Sequence, residues 1–393
     1  MKPSRKLLSS VIFFTMSSHF LHAAADITIS NQVNSDITAA TPFKDASDNG
    51  GTSNLQVVTL VGALSSANVL VTSNTSSGTG PLGGQVRVSD SVTWNTANTL
   101  SLNADSTIVV GATINSIAGG ALNLTSAGTT SFDADVTLIG ATANLQVNSS
   151  GISQTGPRKL LVDGSANLNA GSGSLILLSE NKFGSLNLTG GTVTVNEADS
   201  TLLTGASSNT LTLTTAGTIT DAANTTINVA GLANLNAGSN SITLGDNAGD
   251  ITNFGSLNLT GTAISITEDS ASELAGVSAT SLTLTSSGAQ TDSGNINVSG
   301  LATFNAGSNA ITFGDAPGET TNFGTLNFSG GAVTITEDSA MDLVGANTAG
   351  SAALTSSGTL SDAGATSVAI TGNGSFSGTT ISLGGGTFNS GTL

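Results

Sequence analysis

Apolar and polar residues alternate with a period of two along most of this chain. Over 326–343, Leu326 and Phe328 fall on one side of a strand, with Thr325 and Asn327 opposite. Gly330 and Gly331 interrupt, Val333 and Ile335 resume the alternation, Glu337-Asp338-Ser339 interrupt again, and Met341 and Leu343 follow. A period of two puts each apolar set on one face of its strand. The interruptions are rich in Gly, Asn, Ser and Asp, residues that tolerate left-handed backbone angles. The pattern predicts short strands joined by tight bends.

A signature of apolar-x-apolar-polar-small recurs at a longer spacing. It begins at Leu100, Leu122, Leu145, Ala166, Leu186, Leu211, Ala233, Leu257, Leu282, Ala302, Leu326, Ala352 and Gly374. The mean interval is about 23 residues, a repeat length that marks solenoids. Over it lies a larger repeat. Residues 300–340, GLATFNAGSNAITFGDAPGETTNFGTLNFSGGAVTITEDSA, closely copy 231–271, and 164–200 are a shorter copy. The offset from Gly231 to Gly300 is 69 positions, so one large repeat is expected to hold three coils.

These spacings predict an all-β, right-handed parallel β-helix over 99–393. One coil cannot bury its apolar face alone, so coils must stack. Thirteen coils at roughly 4.8 Å each predict a rod of about 60 Å. Equivalent residues then lie over one another, and the Asn residues of NAGSN are expected to form ladders at a bend. Residues 26–98 depart from the repeat and read as an N-terminal cap. The pattern there predicts a strand over 26–29, a turn-rich loop over 42–54, a short helix or strand over 60–64, strands over 69–71 and 86–88, and a flexible loop over 73–84. At the other end, 374–393 start a coil with no polar cap after it, so the solenoid reads as open.

Composition narrows the class. With 49 Gly, 8% charged residues, no Cys and no Tyr, the chain has the polarity of a linker, yet 38% of it is hydrophobic and regularly placed. Residues 1–25 read as a signal peptide: Lys2, Arg5 and Lys6, an apolar stretch to Leu21, and small residues Ala23, Ala24 and Ala25 before Asp26. Its removal leaves 25 acidic residues against Lys44, Arg87, Arg158, Lys159 and Lys182, and takes away both His. From Phe183 to Leu393 there is no Lys, Arg or His. A surface so acidic argues against nucleic acid as a partner. No later stretch has the length of a transmembrane span.

Residues 92–128, VTWNTANTLSLNADSTIVVGATINSIAGGALNLTSAG, together with FNAGSNAITFGD, NFGTLNFSG and ITEDS, resemble filamentous haemagglutinins and related large bacterial β-helix exoproteins. The resemblance runs from about Val86 onward. It implies a right-handed β-helix, export to the bacterial cell surface on the outer side of the outer membrane, and a role as an adhesin or in surface assembly. The partner would be a host or neighbour-cell surface, a glycan or a matrix component. The Asn-Pro-Asn motif of two-partner secretion domains is absent, so a dedicated outer-membrane secretion partner is an alternative rather than the expectation.

Candidate chemistry is sparse. Polysaccharide-cleaving β-helices pair carboxylates with basic groups, and beyond Lys182 only carboxylates remain. The expectation is therefore no catalysis; a carboxylate-only carbohydrate-active enzyme and a passive matrix or surface-layer component are the alternatives. Glu197/Asp199, Glu268/Asp269 and Glu337/Asp338 are weak calcium candidates, since hard cations want several oxygens. Copies three coils apart would be about 14 Å from one another and could not share an ion. Solvated bend residues are the favoured reading, for these pairs and for Asp246 and Asp315. Trp94 is expected to fill the junction of cap and first coil, and Phe254, Phe304, Phe313, Phe323 and Phe328 to lie in the core.

Overall fold

The computed structural model describes residues 25–46, 51–73 and 84–392. Residues 1–24, which hold nearly all of the expected signal peptide, lie outside them, as do 47–50, most of the expected loop 73–84, and Leu393. The described chain forms a parallel β-solenoid of about 16 coils. Its strands make one sheet system, with a single helix at Val57–Leu64. At roughly 4.8 Å per coil the stack is about 75 Å long.

The ladders begin earlier than Leu100. Asp26–Ser30 pairs in parallel with Thr52–Gln56 and with Val86–Val88, and the latter pairs with Ile108–Val110. Val69–Thr72 lies under Leu100–Ala104, and Val92–Trp94 under Ile114–Ser116. Residues 52–54, expected in a loop, are thus strand. The helix lays Leu60 and Leu64 into the same buried cluster as Ile27, Leu55 and Trp94. The carbonyl of Leu64 at its C-terminus accepts from Thr96 Oγ1 at 2.7 Å and Asn98 Nδ2 at 2.8 Å, which supplies partners that a helix end otherwise lacks. Trp94 is buried, as expected at the junction of cap and first coil, and donates its indole N–H to Asn98 O at 2.9 Å.

One core runs unbroken from Ile27 to Ile370. Its inward positions are chiefly Leu, Ile, Val, Phe and Ala at alternate residues of the strands, up to Ile370. Phe304 sits 4.6 Å from Phe313 and 5.5 Å from Phe323, ring centre to ring centre, in tilted and edge-on contacts. Such geometry suits the ring quadrupole.

The coil is not uniform. Leu100, Leu122, Leu145, Ala166 and Leu186 do stack one above the next. Then Leu186 pairs with Leu203, only seventeen positions on, and Leu211 stacks instead on Val193. The same break follows Leu257, which pairs with Leu274 while Leu282 stacks on Ile264. It follows Leu326 as well, which pairs with Leu343 while Ala352 stacks on Val333. Each break lies beside a Glu-Asp bend, where a coil omits one strand. The thirteen signatures are therefore not one stack, and shortened coils, with the early start, raise the count above thirteen.

The large repeat consequently holds three coils and one further face. Leu257 belongs to the ladder Ala233, Leu257, Leu274. Its repeat equivalent Leu326 belongs to Ile264, Leu282, Ala302, Leu326. Ile264 is the next face along from Leu257 in the same coil. Each large repeat thus starts one face further round the rod than the one before it.

Candidate functional site

The Glu-Asp pairs sit where a strand has nothing stacked on it. Phe254 and Thr252 open the strand Ile251–Thr260, and the shortened coil above leaves their N–H groups without a ladder partner. The bend at the end of Ala263–Glu268 supplies one. Phe254 N–H donates to Glu268 Oε1 at 2.9 Å, and Thr252 N–H to Asp269 Oδ2 at 2.9 Å, while Asp269 N–H returns to Thr252 O at 2.9 Å. One large repeat on, Phe323 donates to Glu337 at 3.0 Å, Thr321 to Asp338 at 2.9 Å, and Asp338 N–H to Thr321 O at 2.9 Å. In the first copy Phe183 donates to Glu197 at 3.1 Å, and Asp199 faces Lys182 Nζ at 3.5 Å. Two carboxylates thus replace the missing strand edge.

The glutamates are not solvated, contrary to the bend reading. Glu197, Glu268 and Glu337 are buried, whereas Asp199, Asp269 and Asp338 are exposed. The strand alternation carries the reason: Ile264, Ile266 and Glu268 share one inward face. Burial pushes the Glu197 carboxyl up to about 7, against the hydroxyl of Thr201 and the N–H of Phe183, which favour its charge. Glu268 is raised by the same cause, opposed first by Ser272 and then by Phe254. Burial takes Glu337 to about 7. Met341 stands where the other copies have Thr201 and Ser272, so Glu337 Oε2 lacks a hydrogen-bond partner.

Two other carboxylate groups come together from stacked coils. Asp221 ends the strand Ile219–Asp221, and the loop after Ile242–Leu244 in the coil above brings Asp246 and Asp250 beside it. One oxygen of each lies within 4.8 Å of the others. Asp292, Asp315 and Glu319 form the same group one large repeat later. Burial is the main cause raising both inner aspartates, Asp292 to about 6, with the neighbouring carboxylates adding to it and the N–H of Gly245 or Gly314 opposing. No three-carboxylate group among the described residues includes a Glu-Asp pair. The sequence singled out Asp246 and Asp315 but not Asp221, Asp250, Asp292 or Glu319. The missed signal was the inward parity of Asp221 after Ile219.

The bend NAGSN also differs from its expected ladder. Gly238 N–H and Gly307 N–H donate back to Asn236 and Asn305 at 2.9 and 3.1 Å, and both glycines are left-handed, φ +56° and +57°. The second Asn bridges coils: Asn240 Nδ2 reaches Ala216 O at 3.0 Å, and Asn309 Nδ2 reaches Ser287 O at 2.9 Å. Adjacent coils lack the motif, so each Asn meets a carbonyl rather than another Asn.

A family model described as repeats of unknown function (DUF5649) matches residues 119–189, 190–258 and 260–327, just over half of the chain. The matched spans follow the large repeat in length. Among curated proteins and solved structures, none matches. No helix among the described residues is long and apolar enough to cross a membrane.

Proposed function

We propose that this chain, which belongs to the family of repeats of unknown function (DUF5649), is an exported, non-catalytic rod of a bacterial cell surface that works by reach and contact. One observation carries the reading. Each large repeat is turned one face from its predecessor, so an outward feature of the repeat is presented in several directions. Asn258 and its equivalent Asn327, for example, project from different ladders. A binding groove of an enzyme needs neighbouring coils that cooperate on one face; an advancing repeat instead multiplies a single weak contact around the rod. Multiplied weak contacts gain strength by effective concentration.

The outer surface fits that role in its chemistry. The outward positions are largely Thr, Ser and Asn, with few charges, and suit hydrogen bonding to a glycan or a matrix component. Export rests on the basic-apolar-small pattern of residues 1–25. The test is adhesion of cells with and without residues 26–393, measured on host cells and on a glycan array. The reading expects attachment to drop on deletion; equal attachment removes the adhesive role. N-terminal sequencing of the exported chain is expected to begin at Asp26, and a retained Met1 would refute cleavage there.

A further inference from the structure

We propose that Asp221, Asp246 and Asp250 bind a divalent cation of the hard, oxygen-seeking class, with calcium as the probe that fits the chemistry. Three carboxylates supply up to six oxygens, the kind and number of ligand that such an ion takes, with water for the remainder.

Three carboxylates within 4.8 Å are not by themselves a site. The inner one distinguishes this group. Asp221 is 7% exposed, and its Oδ1 is buried with no hydrogen-bond partner, while its Oδ2 accepts only the N–H of Gly245 at 3.0 Å. Asp250 faces it from a loop that holds it in place, accepting Thr225 N–H and Asn247 N–H, each at 2.9 Å. No ion pair among the described residues involves the group: the two present join Lys159 to Glu180 and Lys182 to Asp199.

The chain contains its own controls. The position of Asp221 recurs in every large repeat, at the end of the equivalent strand. In the first copy the loop is shorter and has one acidic residue, Glu180, which pairs with Lys159 at 2.8 Å, and the residue at the position of Asp221 is Gln154. That amide is neutral and well bonded, accepting Ser179 N–H at 3.1 Å and donating to Asn181 Oδ1 at 2.7 Å. In the last copy the loop has shrunk to three glycines, and the residue is Asp362. Its carboxylate accepts the N–H groups of Gly384, Gly385 and Gly386 at 3.0, 3.0 and 3.2 Å. Where no pair of loop carboxylates faces this position, then, the side chain is either uncharged or matched by donors. Where the loop brings two more carboxylates, the residue is still an aspartate: Asp292 shares one N–H, that of Gly314, between its two oxygens, and Asp221 keeps Oδ1 without any donor. Repulsion alone would favour the reverse, and a bound cation accounts for it.

Equilibrium dialysis of the full chain with calcium, at 1 mM free ion, tests the site. Asp246→Asn alters an exposed loop residue whose one other side-chain contact is the Asn247 amide at 3.1 Å, and Asp221→Asn copies the neutral amide of Gln154. Each variant is expected to hold one fewer ion per chain than the parent, with an unchanged far-ultraviolet spectrum. Asp362→Asn, outside the group, is expected to bind as many ions as the parent. A parent that binds none, or an Asp246→Asn chain that binds as many as the parent, would overturn the proposal. Should Asp221→Asn fail to fold, Asp246→Asn still decides.

Discussion

A buried glutamate at the end of a strand is costly unless something uses it. Here Glu268 uses one oxygen for the Phe254 N–H and the other for the Ser272 hydroxyl, so that it substitutes for a missing strand. Removing the Ser272 hydroxyl leaves that oxygen without a donor, as Glu337 Oε2 already is. Ser272→Ala is therefore expected to destabilise by about 1–2 kcal/mol in chemical denaturation. The carboxyls also set a pH dependence. Glu197 and Glu337 titrate near 7 when folded, against 4.5 for an ordinary glutamate. The folded chain thus holds protons that the unfolded chain has lost between these values. The stabilisation is complete below about pH 4.5 and falls away as the pH rises through 7. The melting temperature should decline from pH 5 to pH 8, and Glu337→Gln should flatten that decline and stabilise by about 2 kcal/mol at pH 8. A melting temperature that rises over this range would contradict the assignment. The inward side of Glu337 was legible in the sequence, from Val333 and Ile335 at the same parity, but the bend composition of Glu-Asp-Ser masked it.

At the scale of elements, the bends carry most of the local specification. Gly238 takes φ +56° with no atom within 4 Å of where a Cβ would stand, so only the backbone angle resists a side chain there. Gly238→Ala is expected to cost about 1 kcal/mol. Gly173 differs, because a Cβ would come 1.8 Å from the carbonyl oxygen of Ser150 in the coil below. Gly173→Ala must push two coils apart and should cost several times more, about 3 kcal/mol or above, read from the midpoint of denaturation. The strands and their inward faces were visible in the sequence as alternation. The bends were visible as Gly and Asn. Which bends close on themselves and which bridge to the next coil was not visible, because Asn240 meets Ala216 only through the stacking. The run 60–64 fits either a strand or a buried helix, since five apolar residues in a row suit both, and the helix Val57–Leu64 is decided by its packing under the first coils.

The whole molecule is organised by the mismatch between repeat and coil. A repeat of 69 residues looks like three equal coils, and the fold class follows from that alone. The orientation of the copies does not. It depends on where a coil drops a strand, and the Glu-Asp bends mark those places only once the ladder is known. Leu282 looks like the next copy of Leu257 by signature, yet it stacks on Ile264. Ordinary stacking of one coil on the next, by contrast, brings each acidic loop against an inner aspartate, and because the partners lie on different coils Asp221 and Asp292 escaped a reading along the chain. A rod built this way gives every face a share of each motif, and the proposed role in attachment depends on that arrangement.

The chain has no cysteine, so engineered pairs report on stacking without background. Ser265 and Thr283 are ladder neighbours on the outside of adjacent coils, whereas a uniform coil of about 23 residues would place Asn258 against Thr283. Mild oxidation of the two double variants, Ser265→Cys with Thr283→Cys and Asn258→Cys with Thr283→Cys, separates these cases. The advancing repeat predicts a disulfide in the first pair and none in the second. A disulfide in the second pair alone would contradict it.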